Sequence, residues 1–118
     1  MVDVLFINST DKRSLKNEIN GTMLLATKLL EAGFNAKILR FCEIPSYKKD
    51  YSLFISEIVS EVLRLNPKCV SFYTLWPYYH IMHRIAREIK KAKANCLIIM
   101  GGPQASATAD ETMHAMDY

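Results

Sequence analysis

Four short runs rich in β-branched and aliphatic residues, at 2–8, 35–41, 68–74 and 95–100, are separated by longer stretches whose apolar residues recur at helical spacing. Strands alternating with helices predict βα units and a parallel sheet. The four runs are continuously apolar rather than alternating, the pattern of strands covered on both faces. The expectation is one α/β domain over residues 1–118: a doubly wound, flavodoxin- or Rossmann-like parallel sheet of four to five strands with helices on both faces.

The first helix is expected at 20–32, with Met23, Leu24, Ala26, Thr27 and Leu30 toward the core and Gly33 as its stop. The second, at 51–65, repeats apolar residues at Phe54, Ile55, Ile58, Val59, Val62 and Leu63, with Asp50 as N-cap and Asn66-Pro67 as terminator. The third is expected from Pro77, with a buried stripe of Ile81, Met82, Ile85, Ala86 and Ile89. Its other face carries Arg84, Arg87, Lys90, Lys91 and Lys93, which reads first as a solvated face. A short fourth helix should follow Thr108, capped by it and closed by Glu111 in a capping box. A fifth strand would come next in such a fold, so the chain reads as a fragment truncated before that strand.

Composition narrows the function classes. At 118 residues, half of them hydrophobic, the chain can bury one core. Fifteen basic against twelve acidic residues leave a formal charge of +3, too little to favour nucleic acid. No apolar run approaches the ~20 residues of a membrane helix, and the N-terminal segment lacks the pattern of a signal peptide, so a cytoplasmic protein without a membrane partner is expected. Cys42, Cys69 and Cys96 are evenly spaced and near strands, which suits buried thiols better than a metal motif of close pairs. His80 and His83 lie one turn apart but no third ligand is apparent, and no metal site is assigned.

In an open parallel sheet, ligands sit outside the carboxyl ends of the strands. Three loops leave those ends: Asn8, Ser9 and Thr10 after the first strand; Tyr73, Thr74, Leu75 and Trp76 after the third; and Gly101, Gly102, Pro103, Gln104, Ala105, Ser106, Ala107 and Thr108 after the fourth. Two adjacent glycines let a backbone turn sharply and approach a large ligand, though a strand-to-helix turn explains them equally well. Trp76 offers a flat apolar surface. No GxGxxG follows a strand and no GxxxxGK[ST] is present, which removes dinucleotide and P-loop sites. Asn8 and Thr74 stand where a phospho-receiver would need carboxylates. No residues are assigned catalytic roles.

Taken in order, Val4 to Asn8, the first helix with Gly33-Phe34, and above all Gly101-Gly102-Pro103-Gln104-Ala105-Ser106-Ala107-Thr108 resemble the N-terminal cobalamin (vitamin B12)-binding domain of radical S-adenosylmethionine enzymes. The resemblance implies a corrin on the carboxyl edge of the sheet and a nucleotide tail beside the strands. Gly101 and Gly102 would pack against that tail, with Pro103 and Gln104 in the same loop and Ser106 and Thr108 as polar contacts. Tyr73, Thr74, Leu75 and Trp76 would lie under or beside the ring, bordered by Asn8, Ser9 and Thr10. The DxHxxG that ligates cobalt in part of the family is replaced by Asp11-Lys12-Arg13-Ser14-Leu15-Lys16, which implies no histidine ligand. A small residue expected near position 73 is a tyrosine. The iron–sulfur cluster and S-adenosylmethionine would belong to a downstream radical domain of the same chain, with this segment alone non-catalytic. Two rivals remain at this point: a flavodoxin-like flavin domain using Ser9, Thr10 and Ser14 on phosphate, and a ligand-free interaction or homodimerisation module contacting partners through Trp76, Tyr78 and Tyr79.

Overall fold

The protein is described by a computed structural model covering residues 1–9, 20–74 and 78–118. The order is β1 (Val4–Asn8), α1 (Asn20–Glu31), β2 (Ala36–Arg40), a 3₁₀ turn (Phe41–Glu43), α2 (Tyr51–Leu65), β3 (Cys69–Tyr73), α3 (Tyr79–Ala92), β4 (Leu97–Gly101), α4 (Pro103–Ala107) and α5 (Ala109–Ala115). The four strands pair in parallel in the order β2-β1-β3-β4. This is the doubly wound α/β arrangement: the chain leaves β1 to one side and then builds β3 and β4 on the other.

Each helix ends for a local reason. Gly33 takes φ +91, and Phe34 N–H donates to Leu29 O while Gly33 N–H donates to Leu30 O, the paired bonds of a Schellman cap. Asp50 accepts from Leu53 N–H at 3.1 Å and caps α2 as anticipated. Asn66 closes α2 in the left-handed conformation, and Lys93 bonds both Asn66 Oδ1 and Pro67 O. One lysine of the basic face therefore ties the end of α3 to the end of α2.

The register places alternate residues on opposite faces of the sheet. On one face lie Leu5, Ile7, Val70, Phe72 and Ile98, packed with Ile58 and Val62 of α2 and Met82, Ile85 and Ile89 of α3 in one buried core. Right-handed crossovers put α1 on the opposite face, against β2. There the expected core stripe of α1 is wrong in most positions. Ala26 is buried, but Met23, Leu24, Thr27 and Leu30 are exposed, and Thr22 joins Ala26 in the contact. Apolar residues surround much of this helix, so periodicity could not select a face; the small side chains permit the close approach.

The short helix expected after Thr108 is α5, and a further short helix, α4, precedes it unforeseen. The Thr108 hydroxyl donates to Gln104 O at 2.8 Å and caps nothing, because a threonine hydroxyl can bond the preceding turn instead. Among residues taken as buried, Leu63 is exposed, whereas His83, not foreseen, is buried. Helix α3 begins at Tyr79, and Pro77, placed at its start by the sequence pattern, lies outside the described residues.

Candidate functional site at the carboxyl edge

The carboxyl ends of the four strands line up as Arg40, Asn8, Tyr73 and Gly101. The direction in which successive strands are added reverses between β1 and β3, and that switch point is where an open α/β sheet presents its crevice. Asn8 and Ser9 stand on one side of it and Tyr73 and Thr74 on the other, all buried or half-buried. The structure thus gathers the residues expected from two of the three loops; Thr10, Leu75 and Trp76 lie outside the described residues.

Thr74 does structural work there that its residue type did not advertise. Its N–H and its hydroxyl both donate to Gly101 O at 2.7 Å, and the hydroxyl accepts from Ala105 N–H at 2.8 Å. Gln104 N–H donates to Thr74 O at 3.3 Å. One fully buried residue therefore clasps the double-glycine loop to the end of β3. Its hydroxyl is committed inside the fold.

The two glycines differ. Gly102 has φ +89, and a Cβ there would meet Thr74 N at 3.0 Å, Thr74 O at 3.1 Å and the Tyr73 ring at 3.2 Å. The fold's own packing demands glycine at this position, and Tyr73 occupies the space beside it. Gly101 is otherwise: a Cβ there would meet nothing nearer than Phe72 O at 3.9 Å. By strand alternation Gly101 shares its face with Leu97 and Ile99, which are 58% and 44% exposed. On that face β4 presents two large apolar side chains and then a bare backbone at the carboxyl edge. Among the described residues, nothing forbids close approach of another group to the backbone of Gly101.

The rest of the loop contributes less. Ser106 is exposed, Gln104 is half-buried, and Thr108 spends its hydroxyl on Gln104 O. His80 and His83 do not converge on a common point: His83 Nδ1 is 2.9 Å from the Tyr118 hydroxyl, while His80 is exposed. Burial holds His83 below the ordinary imidazole range and pushes Tyr118 up to about 12.

The family described as the B12 binding domain matches residues 15–118. The chain belongs to the B12-binding domain family. Cobalamin is the cofactor of this B12-binding domain. No curated protein and no solved structure matches the chain. Among the described residues no helix is long and apolar enough to cross a membrane, and no cluster of potential metal ligands is found.

Proposed function

We propose that this B12-binding domain carries cobalamin for a radical S-adenosylmethionine enzyme, without a histidine ligand from the protein to cobalt. The single observation that supports the site is Gly101, where among the described residues an added Cβ would meet only an ordinary contact, continuing the exposed face of Leu97 and Ile99. The absence of DxHxxG after β1 supports the second part, since Asp11-Lys12-Arg13-Ser14-Leu15-Lys16 offers no imidazole. Methylcobalamin bound here would supply a transferable methyl group to a substrate radical formed in the neighbouring domain. The chain's own residues would bind and orient. Leu97 and Ile99 exclude water from an apolar surface, Gly101 allows close approach, and the Thr74 clasp keeps that approach rigid.

Titration with hydroxocobalamin followed in the visible bands tests the reading. A saturable spectral shift is expected, weakened at least about tenfold by Gly101→Val, a cost on the order of 1.4 kcal/mol, with little change in the unfolding midpoint. Unshifted bands would overturn the site. For the axial ligand, the reduced cobalamin complex is compared by electron paramagnetic resonance in ¹⁴N and ¹⁵N protein; a spectrum altered by the label would refute the absence of a protein nitrogen ligand. The radical parent is tested by the coding sequence beyond Tyr118, where CxxxCxxC is expected.

A further inference from the structure

A second cavity opens at the carboxyl end of the sheet, on the face covered by α2 and α3 and built from residues outside the double-glycine loop. It holds about 330 Å³ and is lined by residues 47–51 with Phe54, Tyr78 and Ile81. That volume is at the small end for ligand pockets, enough for one ring system with a short arm. Phe54 forms a buried floor, 5.2 Å from the Tyr47 ring and 5.0 Å edge-to-face from Phe41, which also meets Tyr78 at 6.0 Å. Aromatic walls of this kind favour a planar guest.

The charge around the mouth is predominantly positive among the described residues. Lys48 lies over the Tyr47 ring at 5.3 Å and Arg84 over the Tyr51 ring at 5.2 Å, so two cations are held at the rim by the same aromatics that line the pocket. Lys49 adds a third charge, and the one carboxylate in the lining, Asp50, accepts from Leu53 N–H as the cap of α2. Helix α3 starts at this mouth with no side-chain cap from Tyr78 and no acidic residue in its first turn, so among its own residues nothing offsets the positive end.

We infer that this pocket binds a planar aromatic anion, with the ring between Tyr47, Phe54 and Tyr78 and the acidic group facing Lys48, Lys49 and Arg84. The guest is separate from cobalamin, because none of these residues belongs to the Gly101 face. A phosphate or a carboxylate satisfies the rim equally, and the choice of probes separates them.

The test is a ¹H–¹⁵N NMR titration of the whole chain with adenosine 5′-monophosphate and, separately, indole-3-acetate. Shifts confined to residues 47–54 and 78–84 are expected for at least one, and the tighter binder names the acidic group. Adenosine and inorganic phosphate, each lacking half of the recognised chemistry, should bind at least about tenfold more weakly. The double variant Lys48→Gln, Arg84→Gln should lose a similar factor while still shifting the hydroxocobalamin bands. The proposal is overturned if neither anion shifts these residues at millimolar concentration, or if the double variant binds them as tightly as the parent. Both readouts stand whatever the cobalamin titration shows, so failure of one site is distinguishable from failure of the other.

Discussion

The closed face of the central sheet and the part of its other face formed by β4 have opposite characters. Leu5, Ile7, Val70 and Phe72 have no exposed surface, locked under α2 and α3, whereas Leu97 and Ile99 one residue out of phase remain about half exposed. The closed face is where apolar area is removed from water and interlocked, so it supplies most of the folding energy. The open face keeps large side chains in contact with solvent, a standing cost that a binding surface recovers on binding. In β4 a difference of one position decides whether a side chain is buried, as Ile98 is, or left exposed, as Leu97 and Ile99 are.

Substitutions measure that contrast directly. Phe72→Ala on the closed face should cost about 3–5 kcal/mol in urea unfolding, because it empties a fully packed site. Ile99→Ala on the open face should cost under about 1.5 kcal/mol, since nearly half the side chain is already in water. Equal losses would mean the open face is sealed in solution.

The glycine pair sharpens the comparison at a single peptide. Gly102→Ala combines a positive φ with contacts near 3.0 Å to backbone that cannot yield, and should destabilise by roughly 1–3 kcal/mol. Gly101→Ala should change the unfolding midpoint little, its Cβ meeting only ordinary contacts. Should the two variants unfold alike, the assignment of one glycine to the fold and the other to the site fails.

Thr74→Val retains the shape but removes a hydroxyl that serves both Gly101 O and Ala105 N–H, leaving buried groups without it. A loss of about 1–3 kcal/mol is expected, with a weaker hydroxocobalamin shift because the loop is no longer clasped. Stability lost with cobalamin affinity intact would show that the clasp does not position the site.

The smallest effect is in pH. His83 is buried beside Tyr79 and Tyr118, with Arg87 and His80 as the further charges that disfavour its protonation. Its folded value lies below the ordinary 6.5 or so, so the stability tied to neutral His83 is complete above about pH 6.5 and is lost as pH falls through the folded value. Carboxylates with lowered values, Asp3 and Glu61, act only at pH values under about 4.5. Between pH 7.5 and 5.5 the melting temperature should therefore drop by a few degrees in the parent and less in His83→Phe; identical profiles would remove His83 as the cause.

The positions of the strands and of the three longer helices were legible in the sequence, because continuous apolar runs, Asp50, Asn66 and Gly33 each act through local chemistry; the strand order was not. Much of the site was not. Thr74 does meet the double-glycine loop, but it looked like a ligand contact and is a buried clasp, and Gly102 looked like Gly101. Nothing in Leu-Ile-Ile-Met marks alternate residues as open and closed, since both faces use the same residue types. Likewise the apolar girth of α1 hid the Thr22 and Ala26 contact behind larger side chains.

By itself, then, the chain determined its periodicities, its helix ends and its strand-to-helix turns, all set by interactions spanning a few residues. Only the tertiary structure decided which face of β4 stays uncovered, which glycine is filled by its own neighbours, and which aromatic rings from α2, α3 and the loop after β2 enclose a common space. Those depend on residues tens of positions apart meeting across the sheet, and no local pattern encodes what will lie opposite.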